Sequence, residues 1–180
     1  DIGAIMLDTG FSFGGSHGAR LREMIMQINE RLTGSRFLRG VNIVGGVTKD
    51  ITHKKKNELM NDLKVILKDF SEVVEVAENT VSLLNRLKGT GTLSREVAED
   101  HSVVGVTARA VGIMRDTRAN HPYAGYDEIT MREIPIEQDG DVYARFCVRI
   151  KEVYESMRLI QHALHELPEG RIEVTGDIKL

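Results

Sequence analysis

The chain has 180 residues, with 24 Lys and Arg against 27 Asp and Glu, a formal charge of −3. That balance excludes the basic field of a nucleic-acid binder, and no run approaches the roughly 18 apolar residues of a membrane-spanning helix. Its one cysteine, Cys147, excludes an internal disulfide or a cysteine-clustered metal site and points to a reducing, cytoplasmic-side setting.

The chain is long enough for one domain with a sizeable core. No signal peptide is read at its start, and a first residue Asp1 rather than Met suggests processing or excision from something longer. Residues 1–7 read as helix or the end of one, with Ile2, Ile5 and Met6 on one side. The run Gly10–Gly18 is rich in glycine and serine and predicts a bend, with Phe11 and Phe13 as burial candidates. From Ala19 a helical period returns: Leu21, Ile25, Ile28 and Leu32 form an apolar stripe that Gly34 ends. Phe37–Val47 is short, β-branched and broken by glycines, and predicts extended chain.

A second helix follows Thr52, its buried face marked by Leu59, Leu63, Ile66, Leu67, Phe70, Val74 and Ala77. A shorter one is expected around Val81, Leu84 and Leu87, stopped by Gly89 and Gly91, and Ser94 caps a further helical turn. Ile129–Ile136 reads as an edge strand, because Pro135 cannot donate to a ladder. Asp139 or Asp141 is placed to cap the next helix, read as the longest in the chain. Its apolar positions run from Val142 through Phe146, Ile150, Val153, Met157, Ile160 and Leu164 to Leu167, a spacing near 3.5 residues, as in bundles. Pro168 and Gly170 end it, and the tail from Arg171 is strand-like with nothing obvious to bury it. The fold class expected is mainly α, a helical bundle with short β-hairpin or extended segments, in a single domain over 1–180.

The chemistry concentrates between Gly105 and Asp127, read as a loop held by a scaffold. Arg109 sits there between small residues. It reads either as a guanidinium aimed at an anion, a carbonyl or a metal-bound ligand, or as half of an ion pair that holds the loop, the second weighing more. Asp116 and Arg118, two apart, more readily tie the segment together than react. His121 stands before Pro122 and is the histidine of most interest; the other five are scattered. His162 and His165 share a helix face, but near a helix C-terminus imidazole is favoured by the dipole, so a metal is not required. Lys54-Lys55-Lys56 opposes the dipole at a helix start, a weak docking signal. Cys147 has no activating partner and reads as a small packed hydrophobe. Neither a phosphate-binding loop, a dinucleotide fingerprint, a zinc pattern nor a catalytic triad is present.

Three stretches together are more specific. They are L-R-E-x-x-M-Q-x-N-E-R-L-T-G-S-R-F-L-R-G from Leu21 to Gly40 and on through V-N-I-V-G-G-V; G-V-T-A-R-A-V-G…D-x-R…H-P-Y-A-G-Y-D from Gly105; and G-D-V-Y-A-R-F-C-V-R-I-K-E-V-Y-E-S-M-R-L-I from Gly140. With the opening Asp1-Ile2-Gly3-Ala4, they resemble the large subunit of membrane-bound nickel–iron hydrogenases of the formate hydrogenlyase type, homologous to the 49 kDa protein of respiratory complex I. The resemblance covers essentially the whole chain, and the first stretch looks closer to the hydrogenase branch.

The resemblance implies a helical-bundle large subunit packed on a small iron–sulfur subunit, with membrane subunits contacted indirectly, on the cytoplasmic side in the peripheral arm of a membrane-bound complex. In the hydrogenase branch, paired C-x-x-C motifs hold nickel and iron; in the complex I branch the equivalent cavity takes a quinone head group. This chain has neither cysteine pair, nor the upstream histidine and tyrosine used at the quinone. It is therefore expected to be the central part of a larger large subunit, with no catalytic residue, metal or cofactor of its own, and with apolar surface near its ends that drives self-association. By resemblance Asp1 and Arg109 line the cofactor cavity, and Asp116, Arg118 and His121 are the further cavity-lining candidates. The rival readings are a quinone-cavity wall of an NADH:quinone oxidoreductase and a non-catalytic docking scaffold.

Overall fold

The computed structural model describes residues 1–174. Eight helices and one hairpin follow in order among them: α1 (Ile2–Asp8), α2 (Ser12–Thr33), β1 (Asn42–Ile43), β2 (Gly46–Val47), α3 (His53–Glu78), α4 (Val81–Leu87), α5 (Arg95–Asp100), α6 (Gly105–Ala110), α7 (Thr117–Asn120), a 3-10 turn at Ala124–Asp127, and α8 (Val142–Glu166). The mainly α class with one short hairpin is as expected. α2, α3 and α8 form the bundle, with α1 folded back on α2 and α4 closing one end.

The core is where the helical stripes meet: Leu21 and Ile28 of α2; Leu59, Leu63, Ile66, Phe70 and Ala77 of α3; Phe146, Ile150, Met157 and Leu164 of α8. Apart from Ala77, each such side chain contributes about 1.5–3 kcal/mol through burial. Val73 of α3 also joins this core. α8 is one residue shorter than α3, at 25 against 26, so it is not the longest helix.

The caps follow the sequence. Thr52 accepts from the Lys55 amide, Ser94 from Val97 and Asp141 from Ala144. Gly34 ends α2 in the left-handed conformation at φ 81°. Asp141 is buried, and its second oxygen accepts from the Gly89 amide at 2.7 Å, so one carboxylate both caps α8 and holds the turn after α4. The lysine run at the start of α3 is partly engaged: Lys55 Nζ donates to the carbonyls of Leu32 and Asp50.

Three further expectations are corrected. The predicted bend over Gly10–Gly18 is only the link Thr9–Phe11; Gly14, Gly15 and Gly18 lie inside α2. The reason is packing. A Cβ on Gly18 would stand 2.7 Å from the Gly3 Cα, and one on Gly14 would run into the Met6 sulfur, so glycine lets α1 lie on the α2 backbone. Phe13 is exposed, unlike half-buried Phe11. Second, Ile129–Ile136 forms no strand. It is irregular chain tied to α8, with the Arg132 amide donating to Glu155, Arg158 to the Thr130 carbonyl and Lys151 to the Ile136 carbonyl. Third, the start of the central loop, Gly105–Ala110, is the helix α6, packed against α8.

Phe37–Val47 pairs only at its far end, Asn42 with Val47 and Ile43 with Gly46. The chain returns there: the Val47 amide donates to the Ile172 carbonyl and the Val174 amide to the Gly45 carbonyl. The tail is thus laid on the hairpin as far as Val174; the rest of the strand-like tail lies outside the described residues. No described helix is long and apolar enough to cross a membrane.

Candidate functional site: a charged-walled cleft backed by a buried arginine

A cleft of about 420 Å³ opens between α1, α2, α3 and α8. Its floor is apolar, from Met6, Leu21, Ile66, Phe70, Val73 and Met157. Its charges are Asp1, Arg22, Arg149 and Glu152. Asp1 Oδ2 accepts from Arg149 Nε at 3.3 Å, which joins the start of α1 to α8. Arg149 and Glu152 are three apart on α8 and so project from one face. An apolar cavity of about 590 Å³ shares Ile25, Ile66 and Met157 with the cleft and is also lined by Leu38, Val41, Val47 and residues 167–172.

Behind the cleft lies the buried cluster around Arg109. Arg109 is 6% exposed. Its guanidinium donates to a Glu152 carboxylate oxygen and, at 3.1 Å, to the Arg115 carbonyl, and stands 3.5 Å from Asp116 Oδ2. Its Nε has no partner. Asp116, also 6% exposed, accepts three bonds from Arg118: from the amide and Nε at 3.0 Å and from the terminal nitrogen at 2.8 Å. Those bonds, with burial acting against them, hold the Asp116 carboxyl below the usual carboxylate range and push Arg118 above its ordinary value. The Asn120 amide oxygen accepts from the Asp116 amide at 2.9 Å and closes the turn at α7.

The five residues singled out from sequence are placed as follows. Asp1 lines the cleft. Arg109 stands behind Glu152, and Asp116 and Arg118 behind Arg109. His121 is exposed at the end of α7 and is not among the cleft's lining residues. The ion pair expected for Arg109 is present, but with Glu152 as its closest acidic partner. Glu152 and Arg149 were not singled out: each is one of many charges along a long helix, and their partners lie 43 residues upstream and at residue 1.

The donor set does not suit a nickel–iron centre, which needs thiolates. Cys147 is half-buried with its thiol pushed up by burial, and Tyr143 beside it is pushed up to about 12, first by burial and then by the bond to that thiol. No group of three or more His, Cys, Asp or Glu that could hold a metal occurs among the described residues. His165 is engaged with Glu166 at 2.8 Å.

Comparison with known proteins agrees with this architecture. The chain is 38% identical over 168 residues to formate hydrogenlyase subunit 5 of Escherichia coli strain K12, matching 93% of this chain and 29% of that protein. It is 37% identical over 172 residues to the C/D subunit of NADH-quinone oxidoreductase from Phocaeicola vulgatus, matching 94% of this chain and 32% of that one. Against NADH-quinone oxidoreductase subunit 4 of Thermus thermophilus the identity is 33% over 171 residues, 95% of this chain and 42% of that one. The chain therefore spans less than half the length of these relatives. Among solved structures it superposes on a chain of the membrane-bound sulfane sulfur reductase, an archaeal respiratory membrane complex, with TM-score 0.87 and 29% identity, over 98% of this chain and 48% of that one. The family model described as respiratory-chain NADH dehydrogenase, 49 Kd subunit, matches residues 8–179, and the chain belongs to that family.

Proposed function

We propose that this chain is the central part of the large subunit of a membrane-associated nickel–iron hydrogenase of the formate hydrogenlyase type. In that reading the whole subunit is an oxidoreductase that couples proton reduction or hydrogen oxidation to iron–sulfur electron transfer. The observation that carries it is the 38% identity to formate hydrogenlyase subunit 5 across 93% of the chain. The nickel–iron centre would be held by cysteine pairs outside these residues. The chain's part is to supply the helical wall: Asp1, Arg149 and Glu152 present charge at the cleft, and Arg109, Asp116 and Arg118 stiffen the wall from behind. The partners are a small iron–sulfur subunit and, through it, membrane subunits, with the assembly a peripheral arm on the cytoplasmic side.

A second reading, the quinone-cavity wall of an NADH:quinone oxidoreductase, is favoured by the 37% identity to the Phocaeicola vulgatus protein. The two separate on the reading frame that surrounds this stretch. C-x-x-C pairs on both sides support the hydrogenase; their absence supports the quinone enzyme. For the chain by itself we expect no stoichiometric nickel by elemental analysis and no hydrogen-dependent dye reduction. Either signal overturns the assignment of metal binding to other segments. A third role, a scaffold that only docks an iron–sulfur subunit, predicts full activity of the assembled enzyme after Arg109→Ala.

A further inference from the structure

We propose that the gap between α2 and α8, floored by α3, seats a fourth bundle helix: an amphipathic helix of about four turns, from the part of the same large subunit that lies outside these residues. This rests on the reading of the chain as the central part of a longer subunit, and holds for either redox chemistry.

The three long helices do not enclose their own apolar surface. α3 packs on α2 and on α8, whereas α2 and α8 do not pack closely on each other. The cleft and the apolar cavity are successive stretches of the gap so left. They share one residue of each helix: Ile25 of α2, Ile66 of α3 and Met157 of α8. On α3, Phe70 and Val73 line only the cleft, and Leu59 and Leu63 only the cavity. The same order holds on α2 from Leu21 to Ile28, and on α8 from Val153 to Ile160. α2 and α8 therefore run the same way with α3 against them, as in three members of an up-and-down bundle. From Leu59 to Val73 the floor is about 21 Å long, at 1.5 Å per residue.

The walls are unfinished in the way a missing helix leaves them. Ile25 belongs to the apolar stripe of α2 and Ile160 to that of α8, yet they are 43% and 40% exposed, and both line the gap. In a bundle such positions are covered by a neighbouring helix. Charge gathers at the two ends: Asp1, Arg22, Arg149 and Glu152 at one, Lys49, Asp50, Glu169 and Arg171 at the other. Both signs stand at each end. The occupant is thus apolar along its middle, at i, i+3, i+4 and i+7, and polar at its ends.

The described residues have no helix to spare for it. α2, α3 and α8 already give their apolar stripes to the core. The other helices have between four and seven residues, too short to span the floor. A second copy of the chain therefore offers nothing that fits. The relatives do have the chain: these residues match 29% of formate hydrogenlyase subunit 5, and 48% of the reductase chain on which they superpose with TM-score 0.87.

The test uses the full-length large subunit in its assembled complex. p-Benzoylphenylalanine is placed at Ile25 or at Ile160 and photolysed, and mass spectrometry reads the captured peptide. We expect both positions to capture one segment outside these 180 residues, with apolar residues at helical spacing, in a product that migrates as a single chain. Capture of another subunit, or of a peptide within these residues, overturns the proposal and leaves the central-part reading standing. Should the label prevent assembly or capture nothing, Ile25→Cys and Ile160→Cys decide. Maleimide is expected to react with them at least roughly tenfold more slowly in the full-length subunit, freed of its partner subunits, than in the chain by itself, at a rate independent of subunit concentration. Equal rates, or protection that grows with concentration, overturn the proposal. A reading frame with no further chain around these residues removes the occupant and overturns proposal and reading together.

Discussion

At the scale of single residues, Asp116 carries the sharpest consequence. Its carboxyl is buried and bound by Arg118, so its folded pKa lies below the unfolded one. A depressed carboxylate contributes stability that is complete above the unfolded value, about 3.9, and lost as pH falls through the folded value. Asp116→Asn should therefore cost about 2 kcal/mol near pH 7 in urea unfolding, less than a fully buried pair because Arg118 is partly exposed. The deficit should shrink as pH falls below the unfolded value and through the lower folded one, where the wild-type group also becomes neutral. A deficit that does not change with pH would assign the loss to shape and not charge. The Asp116–Arg118 pair was legible in the sequence because its two members are neighbours. The Arg109–Glu152 contact was not, since a helix rich in charges gives no sign of which one faces a buried arginine on another element.

Among elements, the long helices were readable because apolar residues repeat over several turns on α2, α3 and α8. α6 is six residues long, under two turns, and shows no period, so glycine and polar neighbours suggested a loop. Ile129–Ile136 has a strand's composition but pairs with no strand among the described residues. The glycines of α2 misled for a physical reason: their signal as helix breakers, about 1 kcal/mol each, is overridden by close approach of α1. That makes a prediction. Gly18→Ala improves helix propensity yet pushes Gly3 away, and should lower stability by about 1–2 kcal/mol net in urea unfolding. A stabilised variant would mean that α1 does not rest on α2 in solution. The second concerns α8. Asp141→Ala removes its cap, at about 1–2 kcal/mol, and loses the tie to the amide of exposed Gly89. Asp141→Asn, which keeps one acceptor, should recover part of the melting temperature lost by the alanine variant.

For the whole molecule, the question is what the surface left outside the bundle does. The hairpin region carries Phe37 at 60% exposure and Val44 at 77%, with Leu38, Ile43 and Val174 also exposed. Arg39 lies over the Phe37 ring, 5.6 Å from its centroid, and covers only one face of it. Apolar groups clustered at one end of a domain, with few charges between them, mark a surface that associates. The net charge of −3 is too small to keep copies apart at physiological salt, where screening acts within about 8 Å. We therefore expect light scattering to give an apparent mass that rises with protein concentration and persists in high salt, because the contact is apolar. Phe37→Ser together with Val44→Lys should return the chain to a monomer with an unchanged circular dichroism spectrum, since neither residue belongs to the buried core. If the double variant associates as strongly as the wild type, the sticky surface lies elsewhere, and if the wild type is monomeric at every concentration, the hairpin end does not drive association.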